Sequence, residues 1–194
     1  MNFIKSKYLY AIVLVVLVLN LSCRSSQGLF QNNSENWKRG GDATWTFANN
    51  ELVGTVNEGN GFIMTEATYS DFILELDFKP DNTVNSGVFI RCKALEISAT
   101  DCHEINIWDL HPNQDNRTGA IVTKAVPLVK VNTNNKWNTY KIKAQGGRVQ
   151  VWINDIMTAD YTDKTLSQGH VGLQTAETGE IRFRNVKITP LNTY

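Results

Sequence analysis

Phe72, Leu74, Leu76 and Phe78 stand at every second position, with Glu75, Asp77 and Lys79 between them, and this period of two commits the stretch to β structure. A strand sends successive side chains to opposite faces, so one face is apolar and the other charged. The alternation continues through 71–109. Asn85-Ser86-Gly87 reads as a turn, and Val88, Phe89, Ile90 and Arg91 begin a return strand. A third run over 103–108 puts Ile105 and Ile107 on one face and Glu104, Asn106 and Trp108 on the other. The pattern predicts a meander of three consecutively paired strands. Its polar face gathers acids, an Arg, an amide and an indole, which is what a sugar-binding surface needs.

The rest of the chain repeats the theme. The spacing predicts a hairpin of 44–47 with 51–56 around Asn49-Asn50, and a short strand over 61–65. Further strands are expected over 120–123, 128–131, 137–144, 148–153, 169–174 and 180–189, with turns at Gly146-Gly147 and Asn154-Asp155 and a loop over 115–119. No window longer than two turns has a helical period. Many short strands at regular spacing indicate an all-β chain, an antiparallel β-sandwich of jelly-roll type.

A length of 194 residues suits one domain, and a formal net charge of zero offers no electrostatic case for nucleic acid. Lys5 and Lys7 precede an apolar run over 8–21 and then Ser22-Cys23. That run is shorter than the roughly 20 residues of a spanning helix and fits a secretory signal. A small residue before Cys resembles a bacterial lipoprotein signal, with Cys23 as the lipidated residue; the alternative is a plain signal peptide with an incidental Cys. The expected organisation is a signal over 1–22, a polar tether over 23–33 and one sandwich over 34–194. The expected location is the cell envelope, by export, with membrane contact through the lipid only, at the outer membrane or facing the periplasm. Cys92 and Cys102 then form an even pair, which suggests a disulfide in an oxidising compartment. Strand parity puts Cys92 on the core face and Cys102 on the polar face, so the bridge needs a bulge or lies beyond the strand ends.

Several motifs occur together in a recognisable order: Leu29-Phe30, Trp37, Trp45, Leu52-Val53-Gly54, Tyr69-Ser70-Asp71-Phe72, and Asn85-Ser86-Gly87-Val88-Phe89-Ile90-Arg91. They continue with Glu104-Ile105-Asn106-Ile107-Trp108-Asp109, Arg117-Thr118-Gly119-Ala120, Gly172-Leu173-Gln174 and Ile181-Arg182-Phe183-Arg184-Asn185-Val186. The whole resembles the 3-keto-disaccharide hydrolase domain family from Leu29 to the C-terminus. The resemblance implies a concanavalin-A-like lectin/glucanase sandwich, often exported, and hydrolysis of glycosides oxidised at C3. His103 departs from the Tyr common before the Glu of the third strand, and the short loops suit a shallow cleft.

Hairpin arithmetic aligns Glu75, Arg91 and Glu104 in one row, with Asp77 and Asn106 facing Phe89 beside it. Two carboxylates flanking a sugar can perform glycoside hydrolysis as acid and base or nucleophile. A 3-keto sugar opens another route, because the ketone acidifies the proton on C2. A base removes that proton, the enolate expels the C1 substituent, and water adds. Glu104 or Glu75 is then the base, Arg91 the cation for the enolate, His111 or Asp109 the acid, and Lys124 a second cation. The competing reading of the row is a salt-bridge ladder.

Trp108 could stack on a sugar or sit as an edge tryptophan under a loop. Asn85 and Arg117 could touch sugar hydroxyls or serve their turns, and His111 could be catalytic or merely solvated. No cofactor is expected; Asp101, Asp115 and Asn116 could hold calcium but also suit turns. The functional expectation is a carbohydrate-active protein whose site lies on the concave sheet face. A glycoside hydrolase leads, and a lectin-like binding module is the alternative.

Overall fold

The computed structural model describes residues 25–29 and 37–191, so Cys23, the expected signal and most of the tether lie outside the described residues. The strands are β1 (Gln27–Gly28), β2 (Trp37–Gly41), β3 (Thr44–Ala48), β4 (Glu51–Val56), β5 (Asn60–Thr65), β6 (Phe72–Pro80) and β7 (Asn85–Cys92). They continue as β8 (His103–Ile107), β9 (Asn138–Gln145), β10 (Arg148–Ile153), β11 (Ile156–Thr162), β12 (His170–Ala176) and β13 (Gly179–Pro190). An eight-stranded sheet runs β11-β10-β9-β6-β13-β4-β3, with β1 added to β13. A five-stranded sheet runs β2-β5-β12-β7-β8. Every pairing is antiparallel.

The alternating residues explain the two layers. Phe72, Leu74, Leu76 and Phe78 of β6 are buried in one cluster with Val88 and Ile90 of β7, Ile105 and Ile107 of β8, and Leu173 of β12. Residues of equal parity from both sheets therefore share the space between the layers. Tyr140 links the layers through this core: its hydroxyl donates to the Asn106 carbonyl at 2.6 Å and accepts from Gly119 N at 3.0 Å. Its ring stacks on Phe78 at 4.5 Å.

The predicted hairpin at Asn49-Asn50 forms, with φ of 54° and 61° at the two Asn. The three-strand meander does not. β6 pairs with β13 and β9, whereas β7 pairs with β12 and β8, so the chain crosses between sheets after β6. Stacking the apolar faces of β6 and β7 buries both, which placing them side by side would not do. The crossing is held by Asp81, whose carboxylate accepts from Thr83 N and Val84 N (both 2.8 Å) and from Glu180 N (2.7 Å). Asn85-Ser86-Gly87 opens β7 rather than forming the turn. Segments 120–123 and 128–131 are not strands; the first makes isolated bridges at Ile121, and Leu128 donates its backbone N–H to the Thr158 carbonyl. Sequence patterning does not anticipate β2 and β11, since neither Trp37-Lys38-Arg39-Gly40-Gly41 nor the mixed run of β11 alternates cleanly.

Cys92 and Cys102 are bridged. A bulge at Arg91 removes the parity conflict: Arg91 has φ +54°, and β12 residues His170 and Gly172 face Cys92 and Phe89. One extra residue on β7 turns Cys92 to the outer face, where it packs with Cys102, Phe89 and Met64. Gly169 lies against this bulge so closely that a Cβ there would come within 2.3 Å of the Cys92 carbonyl oxygen. Closing so short a loop restricts the unfolded chain, so reduction, or a double Cys→Ser change, is expected to cost about 2–3 kcal/mol, read from urea midpoints with and without reductant. An unchanged midpoint would show that the bridge adds nothing to the hydrogen bonds around the bulge.

Candidate functional site

The register of the five-stranded sheet fixes which residues share its outer face. One row runs Lys38, Met64, Gly172, Phe89 and Glu104 across β2, β5, β12, β7 and β8. The next runs Gly40, Phe62, Gln174, Gly87 and Asn106. Glu104 is the one carboxylate in these two rows. Beyond them Asn60 and Asn85 flank Ala176.

Gly87 forms the floor where polar groups converge. A Cβ on it would stand 3.4 Å from Glu104 Oε1, 3.5 Å from Gln174 Oε1 and 3.3 Å from the Phe89 ring. Gln174 donates through Nε2 to Asn60 Oδ1 at 3.2 Å, while its Oε1 is buried without a partner. Burial among these neighbours raises the Glu104 carboxyl from 4.5 to about 7. The charged form loses water there and gains no cation in return. A carboxylate held near neutrality is a stronger base than a solvated one and is still ionised in useful amount at pH 7.

The other expected site residues disperse. Glu75 and Asp77 stand on the outer face of the opposite sheet, lining an open groove of about 610 Å³. There Glu75 pairs with Lys187 at 3.5 Å, and Asp77 accepts from Arg184 Nε at 3.1 Å and Asn185 Nδ2 at 2.8 Å. The Glu75–Arg91–Glu104 row therefore does not exist. Arg91 is wholly buried: Nε and Nη2 donate to the Ser70 carbonyl, Nη1 to the carbonyls of Gly146 and Leu166, and Nη2 also to Asp71. The bulge that turns Cys92 outward turns Arg91 into the sandwich end, where its donors are consumed.

Asn106 shares the face of Glu104, but its side chain is engaged. Nδ2 donates to the Asn116 carbonyl and Oδ1 accepts from Ile107 N at 2.9 Å. Asp109 accepts from Thr133 N and Oγ1 and pairs with Arg117 at 3.4 Å. Lys124 donates to the Cys102 carbonyl at 2.8 Å and lies 3.1 Å from Nδ1 of His103. Burial, then the Lys124 charge, lowers His103 to about 4, so that ring is neutral at pH 7.

Trp108 and His111 come together, ring centroids 4.6 Å apart and nearly perpendicular. His111 Nδ1 accepts from Asn113 N at 3.0 Å, which puts the proton of the neutral ring on Nε2. Sequence reasoning missed Gln174, Asn60 and Phe62. The parity of Gly172-Leu173-Gln174 would have placed Gln174 opposite Leu173, but pairing β12 beside β7 is a long-range choice. Among the described residues, no group of three or more His, Cys, Asp or Glu could hold a metal ion.

Comparison with known proteins agrees with this architecture. Residues 26–189 match the 3-keto-alpha-glucoside-1,2-lyase-like domain. A candidate glycosyl hydrolase from Parabacteroides distasonis ATCC 8503 superposes with a TM-score of 0.72 at 25% identity, covering 86% of this chain and 100% of that one. The carbohydrate-binding module CBM66 from Bacillus subtilis gives 0.62 at 22% identity, over 79% and 95% of the two chains. The Bacillus licheniformis beta-glucanase gives 0.62 at 14% identity, over 87% and 99%. No curated protein matches the chain. The fold is thus a concanavalin-A-like jelly-roll sandwich of the kind used by glycosidases and carbohydrate-binding modules alike.

Proposed function

Because the chain belongs to the 3-keto-alpha-glucoside-1,2-lyase-like family, we propose that the outer face of its five-stranded sheet cleaves 3-keto glycosides by elimination, with Glu104 as the base. The observation that carries this reading is a lone, half-buried carboxylate with a pKa of about 7 over the glycine floor at Gly87. Two-carboxylate hydrolysis needs a second acid within about 5–10 Å. Glu75, the partner expected from the sequence, stands on the opposite sheet. Elimination needs only one. Glu104 takes the C2 proton, the C2–H electron pair forms the enolate with the C3 ketone, and the enolate collapses as the C1–O bond breaks. The departing alkoxide takes a proton from the now neutral Glu104, and water then adds at C1. Trp108, packed nearly perpendicular to His111, supplies an aromatic side chain just beyond the end of β8.

The test is release of 3-keto-glucose from a panel of 3-keto disaccharides by protein starting after Cys23, with and without chelator, beside the unoxidised parents. Release confined to the oxidised sugars supports elimination. Binding of a glycan with no release supports the carbohydrate-binding alternative, which the resemblance to CBM66 in fold keeps in view.

Gly87→Ala offers a sharper probe. Its methyl meets only ordinary to tight contacts of 3.3–3.5 Å, so the fold is expected to hold while the space between Glu104 and Gln174 closes. Affinity for the sugar should fall about tenfold with stability within roughly 1 kcal/mol of the parent. Unaltered affinity would place the sugar elsewhere. Export and lipidation at Cys23 belong to the same proposal, and the Cys92–Cys102 bridge suits an oxidising compartment.

A further inference from the structure

We propose that the pocket beyond the end of β8 is an anion site, built on Arg117 to take a carboxylate or phosphate group. The pocket has a volume of about 490 Å³ and lies between the loop that follows Trp108 and the segment before β9. Asp109, Gln114, Arg117, Asn132, Asn134 and Lys136 are among its walls. Arg117 is only 5% exposed, so its donors ought to be satisfied within the protein.

They are not. Nη2 donates to the Val131 carbonyl at 2.9 Å and reaches Asn132 Oδ1 at 3.4 Å, with Asp109 Oδ1 also at 3.4 Å. Nε is shut off from the pocket with no acceptor, whereas Nη1 is not among the enclosed atoms and, among the described residues, has no hydrogen-bond partner. Of the five N–H donors of the guanidinium, the two on Nη1 are therefore the ones open to a ligand in the pocket. A cationic N–H pair opening on a pocket makes its strongest hydrogen bonds to an anionic oxygen.

Charge agrees with this assignment. Asp109 is the one carboxylate in the pocket wall, against Arg117 and Lys136. Its oxygens are held by Thr133 N at 2.6 Å and Thr133 Oγ1 at 3.0 Å, so it pairs with the Nη2 side of Arg117 and leaves Lys136 as the excess positive charge of the wall. Gln114 is a wall rather than a ligand, since its Nε2 donates to the carbonyls of Asp109 and His111. Asn132, Asn134 and Lys136 remain to contact a bound anion beside the guanidinium. The carboxylate of an acidic sugar is one group of the required chemistry. Free phosphate or a phosphate ester offers the same chemistry.

The test is a titration of the ¹⁵N-labelled full chain with D-glucuronate, inorganic phosphate and D-glucose. The Arg117 Nε–H and the side-chain amides of Asn132 and Asn134 are followed. Glucuronate, phosphate or both should move these signals, and glucose should not. Movement by glucuronate alone identifies a sugar acid, and movement by phosphate alone a phosphate group. Lys136→Ala, a surface change that leaves the fold intact, should weaken anion binding about tenfold, and Arg117→Lys should abolish it. Equal movement by glucose, or none by either anion at about 20 mM, well above the millimolar range of weak sites, would overturn the proposal and assign the free donors to water. Undiminished affinity in Lys136→Ala would overturn it as well. These readouts do not involve turnover, so they stand or fall separately from the reaction at Glu104.

Discussion

Arg91→Met is expected to lower stability by about 3–5 kcal/mol, measured as a shift of the urea midpoint at constant slope. The guanidinium closes one end of the sandwich. It joins the segment before β6 through Ser70 and Asp71, the β9–β10 turn through Gly146, and the segment before β12 through Leu166. Methionine fills much of the same volume but leaves these carbonyls without a donor. It also leaves Asp71, 9% exposed, with Gly146 N as a remaining donor at 2.9 Å. For a domain stable by about 5–15 kcal/mol that loss is severe. Arg91→Lys should recover part of it, because an ammonium has fewer donors and no fork. Adding Asp71→Asn to Arg91→Met should also return part of the loss by removing the unpaired charge. A destabilisation under about 1 kcal/mol, with cleavage lost instead, would return Arg91 to the catalytic role that its place in the sequence suggests.

The same residue shows where sequence reading reaches its limit. Period two in β4, β6, β9 and β10, and the Asn pair between β3 and β4, are local facts, and local rules read them correctly. Which strands lie side by side is not local. Strands with matching apolar faces, such as β6 and β7, can pair edge to edge or stack face to face, and their sequences are the same in either case. Only the burial gained by closing two layers decides between them. Parity reads Arg91 as outward-facing, but a single residue at positive φ reverses parity for everything after it. The disagreement between Cys92 and Cys102 is the visible trace of that bulge. On β8, Glu104 is legible because the bulge lies outside that strand, and Gly87 adjoins it through the pairing of consecutive strands, whereas Gln174 becomes a neighbour only through the long-range pairing of β12 with β7. The segment 128–131 misleads for a plainer reason: Leu128 and Val129 are apolar yet 61% and 47% exposed, so composition alone suggests a strand that burial does not support.

Glu104→Gln should abolish cleavage of 3-keto glycosides, by roughly 10²–10⁴-fold in turnover, while making the protein more stable at neutral and alkaline pH. The amide keeps the shape and loses the base. The gain in stability follows from the raised pKa. An unfolded Glu104 ionises near 4.5 and the folded one near 7. Below 4.5 both states are protonated and the group costs nothing. Between 4.5 and 7 the unfolded chain releases the proton more readily, so stability falls as pH rises. Above about 7 the whole penalty is present, on the order of 3 kcal/mol, because each tenfold difference in proton affinity between the two states is worth about 1.4 kcal/mol. Glutamine cannot ionise, so the variant and the parent should unfold together near pH 4 and separate steadily up to pH 8, with the variant higher. In the parent, kcat/KM should rise through pH 7 as Glu104 becomes the free base. Parallel stability curves for the two proteins would show a carboxylate that keeps its water, and a variant that still turns over would move the base away from β8. If both expectations hold, the fold gives up stability at Glu104 to keep a carboxylate dry enough to remove a proton from carbon, which is the trade a catalytic site makes and a purely binding face has no reason to make.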